Sequence, residues 1–292
     1  MRCVIKEGKR YPFSKGILAS SLEITGLSID ETYDIVKEVD KDLKDIDEIP
    51  SKEIKERVCG KLLDRGLTKE ERFYRVTRKL RYLEKPLLLM IGGGAGVGKS
   101  TLSAELGHRL DITRIIGTDT VREIMRTMVS KELVPTLYES TFNTDKKVKA
   151  PFVKKRLIYG FDRQVSVVST GVKAVIDRGV KEGLNSIVNG VHVVPGYLDM
   201  DNREDCFVFQ YVLEVEDLEE HAKRFEMRAE GSHRDPDKYI DKMEKIRDIQ
   251  EYIIQQGVEN GAKVLTNKKM ENTIRMIVED IITELEPVIK DG

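Results

Sequence analysis

The sequence predicts an α/β fold: a parallel five-stranded sheet with helices on both faces, preceded by a small, mostly helical unit. Three observations carry that reading. Five apolar runs, Leu87–Ile91, Ile112–Ile116, Ser186–Val191, Cys206–Val215 and Lys263–Thr266, are separated by stretches of helical periodicity. A glycine-rich stretch, GGGAGVGKST at 92–101, lies between the first run and a helical pattern with Leu102, Leu106 and Leu110 four apart. Residues 1 to about 80 read differently, as a hairpin followed by helices.

Taken in order, Val4-Ile5-Lys6 and the turn Gly8-Lys9 predict a short hairpin, followed by Pro12-Phe13. Tyr33, Val36, Val39 and Leu43 predict one helix, and Ile54, Val58 and Leu62 another that starts near Ser51 after Pro50. A basic connector, Arg72 to Lys85, leads to Pro86 and the first strand of the sheet. The expected parts are 1–80 and 86–292, with the longest helix running from about Asp145 to Gly183.

Composition narrows the function classes. The chain has 292 residues, 40% of them hydrophobic, which is enough for a core. Fifty basic residues balance 51 acidic ones, so a generally basic nucleic-acid binder is not expected. No long apolar run or signal-peptide pattern is present, so the expectation is a cytoplasmic protein with no membrane partner. Cys3, Cys59 and Cys206 lack metal spacing and read as reduced thiols. A homo-oligomer is compatible with the sequence.

The chemistry is expected at the glycine-rich stretch. Gly93 to Ser100 fit the phosphate-loop pattern G-x-x-x-x-G-K-[ST], between a strand and a helix as that loop requires. Backbone N–H groups of Gly93, Gly94, Ala95, Gly96, Val97 and Gly98 would wrap phosphate oxygens, with Thr101 just inside the helix. Lys99 would reach the β and γ phosphates of ATP, and Ser100 would bind Mg²⁺.

Ligands of such sheets bind beyond the carboxyl ends of the strands, so the residues there come next. Asp119 follows the second strand; it would take a proton from an acceptor hydroxyl or hold Mg²⁺, or else cap the helix beginning at Val121. Arg122 and Arg126, four apart, would grip an anionic substrate or form a solvated pair. Asn189 ends the third strand, where many phosphate-loop enzymes have an acidic residue, and His192 follows as a phosphate or carboxylate contact or a structural histidine. His221, Arg224 and Arg228 fall on one helix face, with Leu218, Ala222, Phe225 and Ala229 on another. The polar loop 231–237 and a further helix follow, the pattern of an arginine-bearing lid. Arg163 lies in the long middle helix, where an acceptor flap is expected.

The stretches GGGAGVGKST, IIGTDTVREIMR, GFDRQ, VNGVHVVPGYL and HAKRFEMRA, in order over about residues 86–260, resemble the archaeal 2-phosphoglycerate kinase family. Residues Val4-Ile5-Lys6, Gly8-Lys9 and Pro12-Phe13-Ser14-Lys15 resemble an ATP-cone, a small regulatory nucleotide-binding module. The resemblance implies a phosphate-loop kinase that makes 2,3-bisphosphoglycerate from ATP and 2-phosphoglycerate, toward a cyclic product linked to heat tolerance in methanogens. On that reading Lys99, Asp119, Arg224 and Arg228 serve the transfer. Arg122, Arg126, Arg163 and His192 bind the acceptor, Ser100 and Asp119 hold Mg²⁺, and Lys6, Lys9 and Lys15 bind a regulatory nucleotide. Related kinases commonly carry an acidic residue where this chain has Asn189. The alternatives are another small-molecule kinase on the same scaffold, or an ATP-sensing regulatory NTPase.

Overall fold

The structure is a computed structural model that describes residues 2–80, 83–149, 152–198, 200, 203–230 and 235–290, the side chains of 228–230 and 290 excepted. Contacts divide the chain into two compact units, Met1–Leu83 with Arg275–Gly292, and Glu84–Ile274.

In the first unit, β1 (Cys3–Lys6) and β2 (Lys9–Pro12) form an antiparallel hairpin, and β3 (Glu48–Pro50) pairs parallel to β1. Four helices follow the pattern of the sequence: α1 (Lys15–Leu22), α2 (Ile29–Asp42), α3 (Ser51–Asp64) and α4 (Thr68–Thr77). The start of α2 carries a capping box, in which Ser28 and Glu31 each satisfy the other's backbone N–H. Leu22, Ile35, Val39, Ile49, Val58, Leu62 and Tyr74 close a buried core. The sequence pattern ends this part near residue 80; the structure adds Arg275–Gly292 to it.

The second unit is built on β4 (Leu87–Gly93), β5 (Arg114–Gly117), β6 (Ser186–Asn189), β7 (Phe207–Glu214) and β8 (Lys263–Thr266). Their order is β5-β6-β4-β7-β8 and every pairing is parallel. All five expected strands are present, each end within two residues of the expected one. The helices are α5 (Lys99–Leu110), α6 (Thr118–Met128), α7 (Arg156–Lys181), α8 (Leu218–Glu230), α9 (Asp237–Ile240) and α10 (Met243–Glu259). The last helix, α11 (Met270–Lys290), begins here, and from Arg275 onward it counts with the first unit. Because side chains alternate along a strand, Leu88, Met90 and Val188 point to one face, where Val168, Val172 and Ile176 of α7 cover them. On β7, Val212 meets Ile249 and Ile253 of α10. The order runs outward in both directions from β4, so the carboxyl ends of β4 and β6 open a crevice.

Two expectations are corrected. The helix expected from Asp145 starts at Arg156; a 3₁₀ segment, Thr141–Lys147, precedes it. Pro151 has no amide hydrogen to give such a helix. On α8, Leu218 is exposed, whereas His221 and Phe225 share the buried face. Residues four apart lie on the same stripe, so the two faces expected on this helix are one.

Candidate active site

A cleft of about 800 Å³ opens at the carboxyl ends of β4, β5 and β6. The phosphate loop forms its floor through Ala95, Gly96, Gly98, Lys99, Ser100 and Thr101. Gly93, Gly94 and Val97 stand behind that rim. The carbonyls of Gly93 and Gly94 accept from Lys99 Nζ at 2.9 and 2.6 Å. Gly96 has φ +81°, and a Cβ there would come within 2.6 Å of the Phe225 ring, so the loop needs glycine on both counts.

A set of buried groups holds the loop from behind. His221 is fully buried and donates from Nε2 to the Ala95 carbonyl at 2.7 Å. Burial pushes its pKa down, against the pull of that bond. Its ring stacks on Phe225, which stacks on Tyr239 of α9, with centroids 5.5 and 4.9 Å apart. The Val97 carbonyl accepts from Asn267 Nδ2 at 2.9 Å and from Arg224 at 3.3 Å. Arg224 also donates to the Asn267 carbonyl and pairs with Glu220. Its guanidinium is thus fixed against the loop and lines the cleft beside it.

Across the cleft stand Thr118, Asp119, Thr120 and Arg122 of α6, with Ser140, Thr141 and Phe142. Asp119 lies in the first turn of α6, which begins at Thr118 without a side-chain cap bond, so the carboxylate is not spent on capping. Arg122 donates to the Glu139 carbonyl at 3.4 Å. Asn189 and Gly190 close the end between these walls.

Several expected residues stand elsewhere. Arg126 donates from Nη1 to both Glu123 oxygens at 2.8 Å and lies over the Tyr138 ring, outside the cleft lining. Arg163 is exposed and does not line the cleft. His192 has no exposed surface; it sits behind the wall, between Thr118 and Gln164. Burial holds its pKa down to about 3, opposed by the nearby Asp119 carboxylate. The Arg228 side chain and loop residues 231–234, the expected lid, lie outside the described residues. In the first unit, Lys6 and Lys9 face each other at the hairpin end, and Lys15 pairs with Asp40 at 2.6 Å, which with Arg2 pulls that carboxyl's pKa down.

Sequence reasoning missed Asn267, Lys268 and Met270, which line the cleft beside the loop. They directly follow β8, so the strand-end rule applied to the last strand finds them. It also missed Ser140, Thr141, Phe142 and Tyr239, which no strand end announces.

No family model matches the chain. A 2-phosphoglycerate kinase of Thermococcus kodakarensis is 42% identical over 279 residues, 95% of each chain. That of Pyrococcus furiosus is 38% identical over 99% of this chain and 96% of its own. That of Methanopyrus kandleri is 36% identical over 94% of this chain and 85% of its own. Among solved structures, a shikimate kinase from Acinetobacter baumannii in complex with shikimate aligns with 71% of this chain and 98% of its own, at TM-score 0.40 and 13% identity. TT1252 of Thermus thermophilus aligns at TM-score 0.41 and 17% identity over 69% of this chain and 99% of its own. Relatives this similar over nearly the whole length, on a parallel sheet that carries a phosphate loop, place the chain in the 2-phosphoglycerate kinase family.

Proposed function

We propose that the cleft transfers the γ-phosphoryl group of ATP to the C3 hydroxyl of 2-phosphoglycerate, giving ADP and 2,3-bisphosphoglycerate. The observation that carries this reading is the single cleft that holds the phosphate loop on one side and Asp119 with Arg122 on the other. The loop's backbone amides and Lys99 bind the β and γ phosphates. Asp119 orients the C3 hydroxyl and accepts its proton as oxygen bonds to the γ phosphorus. The bond from phosphorus to the β–γ bridging oxygen breaks, and its electron pair leaves with ADP. Arg122 binds the anionic end of the acceptor, for which its planar fork suits phosphate or carboxylate. Arg224 holds the loop in shape and brings positive charge alongside the transferred group; Arg228, whose side chain lies outside the described residues, is proposed as a second arginine for the transfer on the sequence pattern alone.

Ser100 and Asp119 both line the cleft, and no group of three His, Cys, Asp or Glu side chains forms a metal cage among the described residues. That donor set fits Mg²⁺, which takes most of its ligands from phosphates and water. Bound there, Mg²⁺ would neutralise charge on the phosphate oxygens. For the first unit, Lys6 and Lys9 are the positions at which a regulatory nucleotide would bind, with Lys15 already engaged by Asp40.

The test is ADP release with ATP and Mg²⁺ against 2-phosphoglycerate, 3-phosphoglycerate and no acceptor, the product identified by phosphorus NMR. Turnover with 2-phosphoglycerate alone, yielding the 2,3-bisphosphate, is the expected result. Hydrolysis without regard to acceptor sinks the reading in favour of a regulatory NTPase.

A further inference from the structure

Three stretches that the sequence singles out separately, GTDT at 117–120, GFDRQ at 160–164 and NGVHVVPGYL at 189–198, meet in one buried chain of hydrogen bonds. The direction of every proton in it can be worked out. Gln164 Nε2 reaches the Thr136 and Glu139 carbonyls at 2.6 and 3.0 Å. Carbonyls only accept, so that atom is the amide NH₂ and Gln164 Oε1 is an acceptor. Oε1 lies 3.1 Å from His192 Nε2, which therefore carries the hydrogen. A neutral imidazole has one N–H, so Nδ1 accepts, and Thr118 Oγ1, 3.2 Å away, donates to it. Thr118, Gln164 and His192 are each 0% exposed, and burial keeps the ring neutral.

Both ends of this hydrogen-bond chain reach the cleft. Thr118 and Arg122 lie one turn apart on α6, and Arg122 shares the Glu139 carbonyl with Gln164. Ser140, Thr141 and Phe142 follow directly on that anchored carbonyl. Gly190, at the end of β6, has no room for a Cβ against Thr118 Oγ1. The nucleotide side is held by a different set, Asn267, Arg224 and His221, which shares no residue with this chain of bonds.

We propose that His192 and Gln164 are positioning residues for the acceptor: by fixing the start of α6 to the segment 136–142 they set the shape of the acceptor wall and leave the nucleotide side untouched. This rests on the reaction proposed above, because it takes the α6 side of the cleft as the acceptor's.

The test uses the full chain and three variants. In H192N the amide reaches the place of Nδ1 and keeps the Thr118 bond, but it is too short for Gln164. Q164L cuts both the histidine and the carbonyl anchors. Q164E keeps an acceptor for Nε2, but its second oxygen faces the Thr136 and Glu139 carbonyls, so it holds its proton and can satisfy only one of the two. H192N and Q164L should raise the KM for 2-phosphoglycerate about tenfold or more while the KM for ATP stays within about twofold. Q164E should therefore raise the KM for 2-phosphoglycerate less than Q164L does, with the KM for ATP again unchanged, a partial rescue by the conservative variant. Nitrogen-15 spectra of the wild type should show, at the ring whose signals vanish in H192N and which is thereby told apart from the Nε2–H ring of His221, a neutral Nε2–H imidazole that does not titrate between about pH 5 and 8. A rise in both KM values together overturns the proposal, as does a lower melting temperature with both KM values unchanged. A His192 ring that carries its hydrogen on Nδ1, or titrates near its ordinary value, also overturns it. Failure of the wild type to phosphorylate 2-phosphoglycerate is a separate result: it removes the proposed reaction, while the ring spectra still decide the hydrogen-bond chain.

Discussion

Asp119 and His192 stand close enough to influence each other, and their surroundings give them opposite duties. Asp119 is exposed to the cleft and is not spent on capping α6. A carboxylate in that place can take the acceptor's proton, and general-base removal typically costs about 10²–10⁴-fold in rate. D119N should therefore lower kcat within that range, while equilibrium dialysis of ATP without Mg²⁺, which does not draw on the carboxylate, still finds wild-type affinity; unchanged kcat would remove Asp119 from the transfer step. His192 is held neutral by burial, which links its folding to acid. Above about pH 6.5 the ring is neutral in both the folded and unfolded chain, and its contribution is fully present. As pH falls, the unfolded chain takes up a proton that the native site refuses until about pH 3, so stability drains away across that interval. Melting temperature should fall less steeply from pH 7 to pH 4 in H192N than in the wild type. Parallel curves would mean that the ring is not held neutral.

At the scale of elements, the loop and α8 form one assembly. Gly96 is the point where they meet, and a side chain there encounters both an unfavourable φ and the Phe225 ring. A left-handed conformation alone costs a non-glycine residue about 1–2 kcal/mol. G96A should weaken ATP binding by about tenfold or more in calorimetry, since the loop must shift to admit the methyl group. G60A, in mid-helix α3 with open space around the new Cβ, should instead raise stability by about 0.5–1 kcal/mol in denaturant titration. A tolerated G96A would mean that the loop is softer than its packing implies. What the sequence could reveal follows the same division. The strands and the loop were legible because apolar runs and fixed glycine spacing are local signals, and the strand-end rule located Asp119, Arg122 and Asn189. Gln164 was passed over for its neighbour Arg163, although Phe161, Val165, Val168, Val172 and Ile176 mark the buried stripe of this helix and Gln164 falls on it; a charged residue drew the reading away from a neutral one. His221 was read as facing apart from Phe225, although the two rings stack. Tyr239 and Phe142 reach the cleft only through tertiary packing, 5.7 Å apart from centroid to centroid, and nothing in their local sequence announces it.

The whole molecule does not divide where the sequence changes character. The apolar run of α11 that follows Arg275, with Ile277, Val278, Ile281, Ile282 and Leu285 all within 1% of full burial, belongs to the N-terminal unit. Ion pairs of Lys69 with Glu279 and of Arg72 with Glu286 tie it there, at 2.9 and 2.6 Å. A truncated chain that begins at Glu84 and keeps the C-terminus would strip that stripe of its partners. Leaving an aliphatic side chain of this size in water forfeits about 1.5–3 kcal/mol, and five in a row on one face make a contiguous apolar patch. Such a chain should aggregate and bind a hydrophobic dye. A chain covering 84–274 removes the stripe along with its partners, and by the same reasoning should bind less dye and stay monodisperse in light scattering. If the longer truncated chain proves as clean as the shorter one, the C-terminal residues do not belong to the first unit. If it is dirtier, any loss of activity on deleting the N-terminal residues must be separated from this exposure before it is assigned to lost nucleotide sensing. The informative comparison is therefore between point changes at Lys6 and Lys9 in the intact chain, which leave the α11 interface whole, and the deletion, which does not.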